Sequence, residues 1–334
     1  MTPPAGIQFQ PERISYGFIA LALVLVGWLD LTVLMLTMLF GYFALEKLAI
    51  REQKWLAVFL FVLLLGAAGY GFYSFFHHAV VAVPKIANES IPKILDYAKS
   101  KGIELPAPDY DLQALKQDAV DFVQGKIASV GKYAEVLVRY FVAFLIGVAV
   151  SIGLFLNTRV EPEADPETGR DNLYSQTFLE VVARFRTFYQ SFKTVMGAQI
   201  VISLINALLT AIFLVWNNFP YSPVLAGLTF LFGLLPIVGN LMSNTLIVSV
   251  GFTITPEMAF FALIFLVVIH KFEYFLNSKI IGDRIKNPMW LTLLGLLIGE
   301  KLMGIPGMIL APVVLHYIKV EASRNRIPAA PAAA

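Results

Sequence analysis

The sequence predicts an all-α polytopic membrane protein with about six to eight membrane helices, two broken and possibly re-entrant hairpins, and a small helical extramembrane domain. Composition is the first reason: 58% of the residues are hydrophobic and 14% are charged, whereas soluble domains carry about 25% charged residues. The second reason is that no charged residue lies between Lys193 and Glu257. One helical crossing takes roughly 20 apolar residues, so this stretch holds more than one membrane segment.

The N-terminal part, residues 1–76, is predicted to consist of membrane helices. Residues 14–29 and 31–45 are uncharged and are separated by Asp30. Each arm is short for a full crossing of roughly 20 residues, so the pair forms either a tight two-helix hairpin or two tilted crossings. Residues 55–76 are long enough to span the membrane.

Residues 77–137 have a different character and are predicted to form a helical domain outside the membrane. Lysines alternate with aspartates and glutamates there, which is typical of a solvated helix surface. Apolar residues recur at helical spacing between 112 and 130. Pro106 and Pro108 separate this helix from a shorter one near 86–100.

Residues 138–320 are predicted to form the membrane transport core, and 321–334 a disordered Pro/Ala-containing tail. An amphipathic segment at 172–193 is typical of a helix at the membrane interface. The predicted membrane segments of the core are 140–158, 194–216, 223–250, 257–276 and 289–318.

Two of these segments, 223–250 and 289–318, are interrupted by glycine and proline, which break helices. If both cross the membrane fully, a loop with four basic residues lies outside, against the positive-inside rule. If both are re-entrant hairpins, that loop lies in the cytoplasm and every short loop obeys the rule. Both topologies stay open. The basic residues concerned are Lys271, Lys279, Arg284 and Lys286.

Three stretches resemble the autoinducer-2 exporter family of bacterial and archaeal membrane proteins. They are Gly-Leu-Leu-Pro-Ile-Val-Gly at 233–239, Phe-Leu-Asn-Ser-Lys-Ile-Ile-Gly at 275–282 leading to Asn287-Pro288, and Leu-Met-Gly-Ile-Pro-Gly-Met-Ile-Leu-Ala-Pro at 302–312. The layout is similar too, with an N-terminal hairpin, a helical insert and a long C-terminal bundle. The sequence departs from the family where Asn287 replaces a histidine and where Glu300-Lys301 replaces small residues.

This resemblance implies a secondary transporter in the inner (plasma) membrane of a prokaryote, and a homo-oligomer. It implies export of a small molecule, such as an autoinducer-2-like signal or a related polar metabolite, by alternating access. Because other members resemble sodium/proton antiporters, a cation antiporter is the alternative. A membrane structural or signalling protein that uses residues 77–137 is a remote alternative.

The candidate substrate or ion site lies at the two breaks. Interrupted membrane helices bind substrates and ions in transporters, and charges deep in a membrane are expensive and tend to be functional. Alternatively, the polar side chains hold the bundle together by interhelical hydrogen bonds, and the charges cap a hairpin tip. The candidates are Pro236, Gly239, Asn240, Ser243, Asn244 and Thr245 in the first break, and Glu300, Lys301, Gly304, Pro306 and Gly307 in the second.

A proton relay is a further hypothesis, with Asp30, His270 and Glu273 as its candidates, since histidine titrates near neutrality. The alternative is that His270 and Glu273 lie at the membrane interface and Asp30 at a hairpin tip. For a cation antiporter, Glu300 is the candidate membrane carboxylate.

Several functions are disfavoured by the residues that the sequence lacks. It has no cysteine, which excludes disulfides and thiolate metal sites. There is no Gly-x4-Gly-Lys-Ser/Thr loop for nucleotides and no catalytic constellation in the spans, so we expect neither an enzyme nor a cofactor. His77-His78 has no neighbouring ligands at metal-site spacing. The net charge of +2 is too small to indicate nucleic acid, which leaves the bilayer and a small molecule or ion as partners.

Overall fold

The computed structural model describes residues 10–50, 53–103, 134–157, 172–235, 238–281 and 288–324. Across these ranges it contains nine α-helices and no strand. Five of these helices are long and apolar enough to cross a membrane, which confirms an all-α polytopic membrane protein. The helices are α1 (Pro11–Trp28), α2 (Thr32–Leu48), α3 (Lys54–Ser100), α4 (Ala134–Leu156), α5 (Leu173–Trp216), α6 (Ser222–Gly233), α7 (Val238–Ile254), α8 (Pro256–Ile281) and α9 (Met289–Arg324).

The first two helices follow one another through a tight turn. Asp30 occupies that turn with a φ of 54°, a left-handed conformation that Asp tolerates better than most residues. The third helix, α3, is 47 residues long and contains Pro84 and Pro92. It therefore continues without interruption past residue 76, and the shorter helix predicted near 86–100 is its C-terminal part. The helix predicted after Pro108 falls outside the described residues.

The two broken segments both fold back on themselves. The first consists of α6 and α7, helices of 12 and 17 residues that pack against each other, each shorter than the roughly 20 residues of a full crossing. The second lies within α9, where Gly304 has a non-helical φ of 62° and ψ of −151°. A Cβ added to Gly299 would lie 2.5 Å from the carbonyl oxygen of Gly307, so the two arms of α9 touch through their backbones.

The chain divides into two compact units. The first unit contains residues 1–61, 140–197 and 285–334, and the second contains 62–139 and 198–284, so the division falls within α3, α4 and α5. Apolar side chains of α1, α2, α5 and α9 form the core of the first unit around the fully buried Phe192 and Val313. The second core is built around Leu214, Leu225 and Ile247.

A buried arginine joins three helices of the first unit. Arg184 of α5 donates from Nη1 to Oε2 of Glu321 on α9 and from Nη2 to Oε2 of Glu180, both at 3.0 Å. Its guanidinium lies 4.4 Å from the ring centroid of Tyr16 on α1, a cation–π distance. Because Glu321 is also buried, each charge compensates the desolvation of the other.

In the second unit, α3 packs along the α6–α7 hairpin. Ala79 and Ala82 form a small core with Val224 of α6. Farther along, the hydroxyl of Tyr221 donates to Oε1 of Glu89 at 3.1 Å, and Lys93 donates to the backbone carbonyl of Thr253 at the end of α7. The part of α3 beyond residue 76 is therefore a packing partner of the first broken segment. The boundaries predicted for the extramembrane domain stay a prediction.

Candidate functional site

The backbone at the break between α6 and α7 is stabilised by a close approach at a glycine and by a side-chain hydrogen bond. Gly239 follows the break, and any Cβ there would overlap the backbone carbonyl of Phe232. The carbonyl of Gly233, freed by the end of α6, accepts a hydrogen bond of 2.5 Å from Nε2 of Gln199 on α5. A broken backbone at membrane depth needs such partners. Pro236 lies outside the described residues.

The centre of the site is the Glu273 carboxylate of α8. Its Oε2 atom accepts hydrogen bonds from Nδ2 of Asn240 on α7 at 2.7 Å and from Nδ2 of Asn206 on α5 at 3.2 Å. Only 13% of the Glu273 side chain is exposed, and His270 Nδ1 lies 3.7 Å from the same oxygen. Hydrogen bonds to a charged acceptor are about twice as strong as neutral ones. The arrangement therefore suits an ionised carboxylate.

The amide orientations follow from this geometry. An ionised carboxylate accepts hydrogen bonds and donates none, so Asn240 and Asn206 must both present their NH2 groups to Glu273. Within the described residues, no hydrogen bond reaches Oε1 of Glu273 or the buried Oδ1 of Asn206. Oε1 of Glu273 therefore has the chemistry to bind a proton, a cation or water, and Oδ1 of Asn206 a cation or water.

The space beside Glu273 is small, with a volume of about 10 Å³. A single water needs about 10–15 Å³, whereas pockets for organic ligands measure about 300–1,000 Å³. In this conformation the space therefore suits one water or a small ion. It is lined by Asn206, Thr210, Thr229, Asn240, Ser243, Asn244, Leu266, Ile269, His270 and Glu273.

The structure thus brings five predicted residues together: Asn240, Ser243, Asn244, His270 and Glu273. Thr245, which was predicted with them, is exposed, and its hydroxyl donates to the carbonyl of Leu241 within α7. It does not line the space beside Glu273.

The remaining candidates belong to the first unit, as does Asp30 in the α1–α2 turn. Glu300 and Lys301 are exposed and lie four and three residues before Gly304, where the first arm of α9 ends. Among the described residues neither takes part in an ion pair. Gly304 makes the turn, and Pro306 and Gly307 begin the second arm. The second break is therefore a tight hairpin with exposed charges near its tip.

Residues on α5 and α6 complete the site and were missing from the prediction. Asn206, Thr210 and Thr229 line the space beside Glu273. A signal for the first two exists in the sequence: from residue 198 to residue 216 the only polar residues are Gln199, Ser203, Asn206 and Thr210. Their spacing of four, three and four places them on one helix face.

A family model described as AI-2E family transporter matches residues 16–323. The chain belongs to this family. Membership of the AI-2E transporters confirms the resemblance drawn from the stretches at 233–239, 275–282 and 302–312. It also identifies the chain as a multi-pass membrane transporter.

The name of one relative agrees with the assignment of this chain as a transporter. A protein of Bacillus subtilis (strain 168) named "Putative transport protein YdbI" is 30% identical over 155 residues. That alignment covers 45% of this chain and 44% of the relative, so the chain matches less than half of the relative's length.

Proposed function

We propose that this AI-2E transporter exports a small polar molecule by secondary transport and that a cation bound at Glu273 drives the export. The exported molecule would be of the autoinducer-2 class that the family resemblance implies. Alternating access would involve the two broken segments. One observation carries the proposal: the Glu273 carboxylate is held by amides from two other helices, one of them part of a broken segment.

Three physical arguments support Glu273 as the coupling residue. Acidic side chains inside membrane segments are rare and mark ion pathways. The amides of Asn206 and Asn240 fix the position of Oε2, which leaves Oε1 to exchange its ligand. Glu300, the carboxylate proposed from the sequence, is exposed, and no side chain of the described residues supports it in this way.

A second candidate function is cation/proton antiport. It is favoured by the size of the space beside Glu273, since about 10 Å³ accommodates an ion or a water and no organic molecule. In this alternative the cation is itself the cargo, and the same carboxylate binds cations and protons in turn.

Flux measurements in proteoliposomes test both functions. The purified protein is reconstituted with an imposed sodium or proton gradient, and uptake of radiolabelled autoinducer-2 and of ²²Na⁺ is followed. We expect Glu273→Gln to abolish gradient-driven flux, because the amide cannot carry the exchanged charge. Glu257→Gln is the matched control: Glu257 lies on the same helix and is exposed.

The outcomes separate the alternatives. Gradient-dependent flux of the organic molecule supports the exporter, whereas sodium flux driven by a proton gradient without that molecule supports the antiporter. Wild-type flux in a correctly folded Glu273→Gln protein would refute the coupling role of this carboxylate in either function.

A further inference from the structure

One face of α5 carries a row of polar side chains through the otherwise apolar C-terminal part of the helix, residues 198–216. The row consists of Gln199, Ser203, Asn206 and Thr210, which lie within the second unit. At a rise of 1.5 Å per residue the row is about 16 Å long, roughly half the thickness of a hydrocarbon core of about 30 Å. It passes the Glu273 site at Asn206 and extends beyond it in both directions.

Three oxygens of this row are buried without a protein partner. Ser203, Asn206 and Thr210 are 1%, 5% and 1% exposed. Within the part of the chain that the structure describes, no group bonds Ser203 Oγ, Asn206 Oδ1 or Thr210 Oγ1. Burying a polar oxygen without a hydrogen bond is unfavourable, so three such oxygens in one row favour water or another ligand beside them.

Two threonines of the α6–α7 hairpin, in contrast to the hydroxyls of the row, have a partner within their own helix. Thr229 and Thr245 donate to the carbonyl four residues earlier in their own helices, at 2.9 and 2.8 Å. Such back-bonding is the ordinary way for a helical threonine to satisfy its hydroxyl. Ser203 and Thr210 do not use it, and their hydroxyls are free to bond across the bundle.

The two ends of the row differ. At one end Gln199 bonds the free carbonyl of Gly233, and Ser203 packs so closely there that a Cβ on Gly233 would lie 2.9 Å from its Oγ. This end meets the break between α6 and α7. At the other end the next residues on the face are apolar: the ring of Phe213 stacks on Phe265 with centroids 4.0 Å apart. The row is therefore polar towards the break and closed by aromatic rings beyond Thr210.

We propose that this face of α5 lines a narrow hydrated path by which a small monovalent cation reaches Glu273 from the break, with the Phe213–Phe265 stack closing the far end. The oxygens of Ser203, Asn206 and Thr210 replace part of the cation's water shell along the path. That the path carries a cation rests on the proposed coupling role of Glu273. That the path contains water does not depend on that role.

Silver accessibility of introduced thiols tests the path. The chain has no cysteine, so Ser203→Cys and Thr210→Cys each introduce a single thiol at nearly unchanged volume. The matched controls are Leu204→Cys and Leu208→Cys on the outer face of the same helix, where the leucines are 58% and 60% exposed. In liposomes that face contacts lipid, which excludes a charged probe.

Each variant is reconstituted, exposed to Ag⁺ for increasing times, denatured and labelled with a maleimide to count the remaining free thiols. We expect Ag⁺ to block the thiols at 203 and 210 at least about tenfold faster than those at 204 and 208, because thiolate forms in a hydrated site and not in lipid. Gel filtration and thermal unfolding confirm that each variant is folded.

Rates at 203 and 210 no faster than at 204 and 208 would overturn the path and identify the row as a dry packing face. The readout needs no transport, so it separates this inference from the proposed function. Combining Ser203→Cys with Glu273→Gln makes the separation explicit: fast silver modification in that double variant supports the path even where transport is lost.

Discussion

The contact between the two arms of α9 allows a quantitative prediction for Gly299→Ala. The new Cβ would lie 2.5 Å from the carbonyl oxygen of Gly307 and 3.2 Å from Cβ of Ala311, whereas ordinary contact begins at 3.4 Å. The arms must therefore separate by about 0.9 Å, the difference between 3.4 and 2.5 Å. Such overpacking costs about 1–3 kcal/mol.

Helix propensity acts in the opposite direction. Replacing a helical glycine by alanine gains about 0.5–1 kcal/mol, so the two ranges combine to a net loss of about 0–2.5 kcal/mol for Gly299→Ala, centred on about 1 kcal/mol. Gly66→Ala in α3 is the matched control, because no atom of the described residues lies within 4 Å of its added Cβ. This control should keep or increase stability.

Thermal unfolding of the purified proteins in detergent, followed by intrinsic fluorescence at one scan rate, measures both effects. The midpoint should fall for Gly299→Ala and hold or rise for Gly66→Ala. Equal shifts in the two variants would refute the reasoning, since they would mean that the backbone contact between the arms imposes no constraint.

Three further predictions concern other parts of the chain. Arg184→Ala leaves the buried Glu321 without one of its cations and should lower the free energy of unfolding by about 3 kcal/mol. Loss of the partly exposed Glu180 should lower it by less than about 1 kcal/mol. Chemical denaturation measures both values, and equal losses would contradict the role of burial. Phe213→Ala should raise the passive leak of ²²Na⁺ from liposomes by removing the aromatic closure, and an unchanged leak would argue against that closure. Cysteines at Lys279 and Arg284 should be labelled only from the cytoplasmic side if both broken segments re-enter, whereas labelling from outside would support full crossings.

Much of the fold could be predicted because bilayer thickness and residue polarity determine it locally. Uncharged stretches near the length of a crossing became α4 and much of α5, and proline with glycine marked both breaks. The length of α3 was not predicted: the sequence separated a span at 55–76 from a shorter helix near 86–100, whereas the structure has one helix with Pro84 and Pro92 inside it. Neighbouring groups in membrane helices can satisfy the backbone carbonyls that proline leaves free.

The site was predictable in part. Asn240 and Ser243 share a helix face by spacing alone, and His270 and Glu273 were candidates on a different segment. Their meeting depends on how α8 packs against α7, which no local pattern encodes. Asn206 was detectable from the spacing of polar residues along α5. Glu300 had the stronger sequence signal as a charge between apolar arms, but its exposure depends on the turn at Gly304.

The packing of α3 against the first broken segment changes what a deletion experiment can mean. Residues between 77 and 100 contact Val224, Tyr221 and Thr253. They therefore support the α6–α7 hairpin as well as leading into the insert. Deleting residues 77–137 would remove these packing contacts together with the insert, so a loss of function could come from either. A truncation that keeps α3 through Gly102 and resumes at Ala134 would remove the insert alone. By the same contacts, a force applied to the residues that follow α3 would be transmitted to the α6–α7 hairpin.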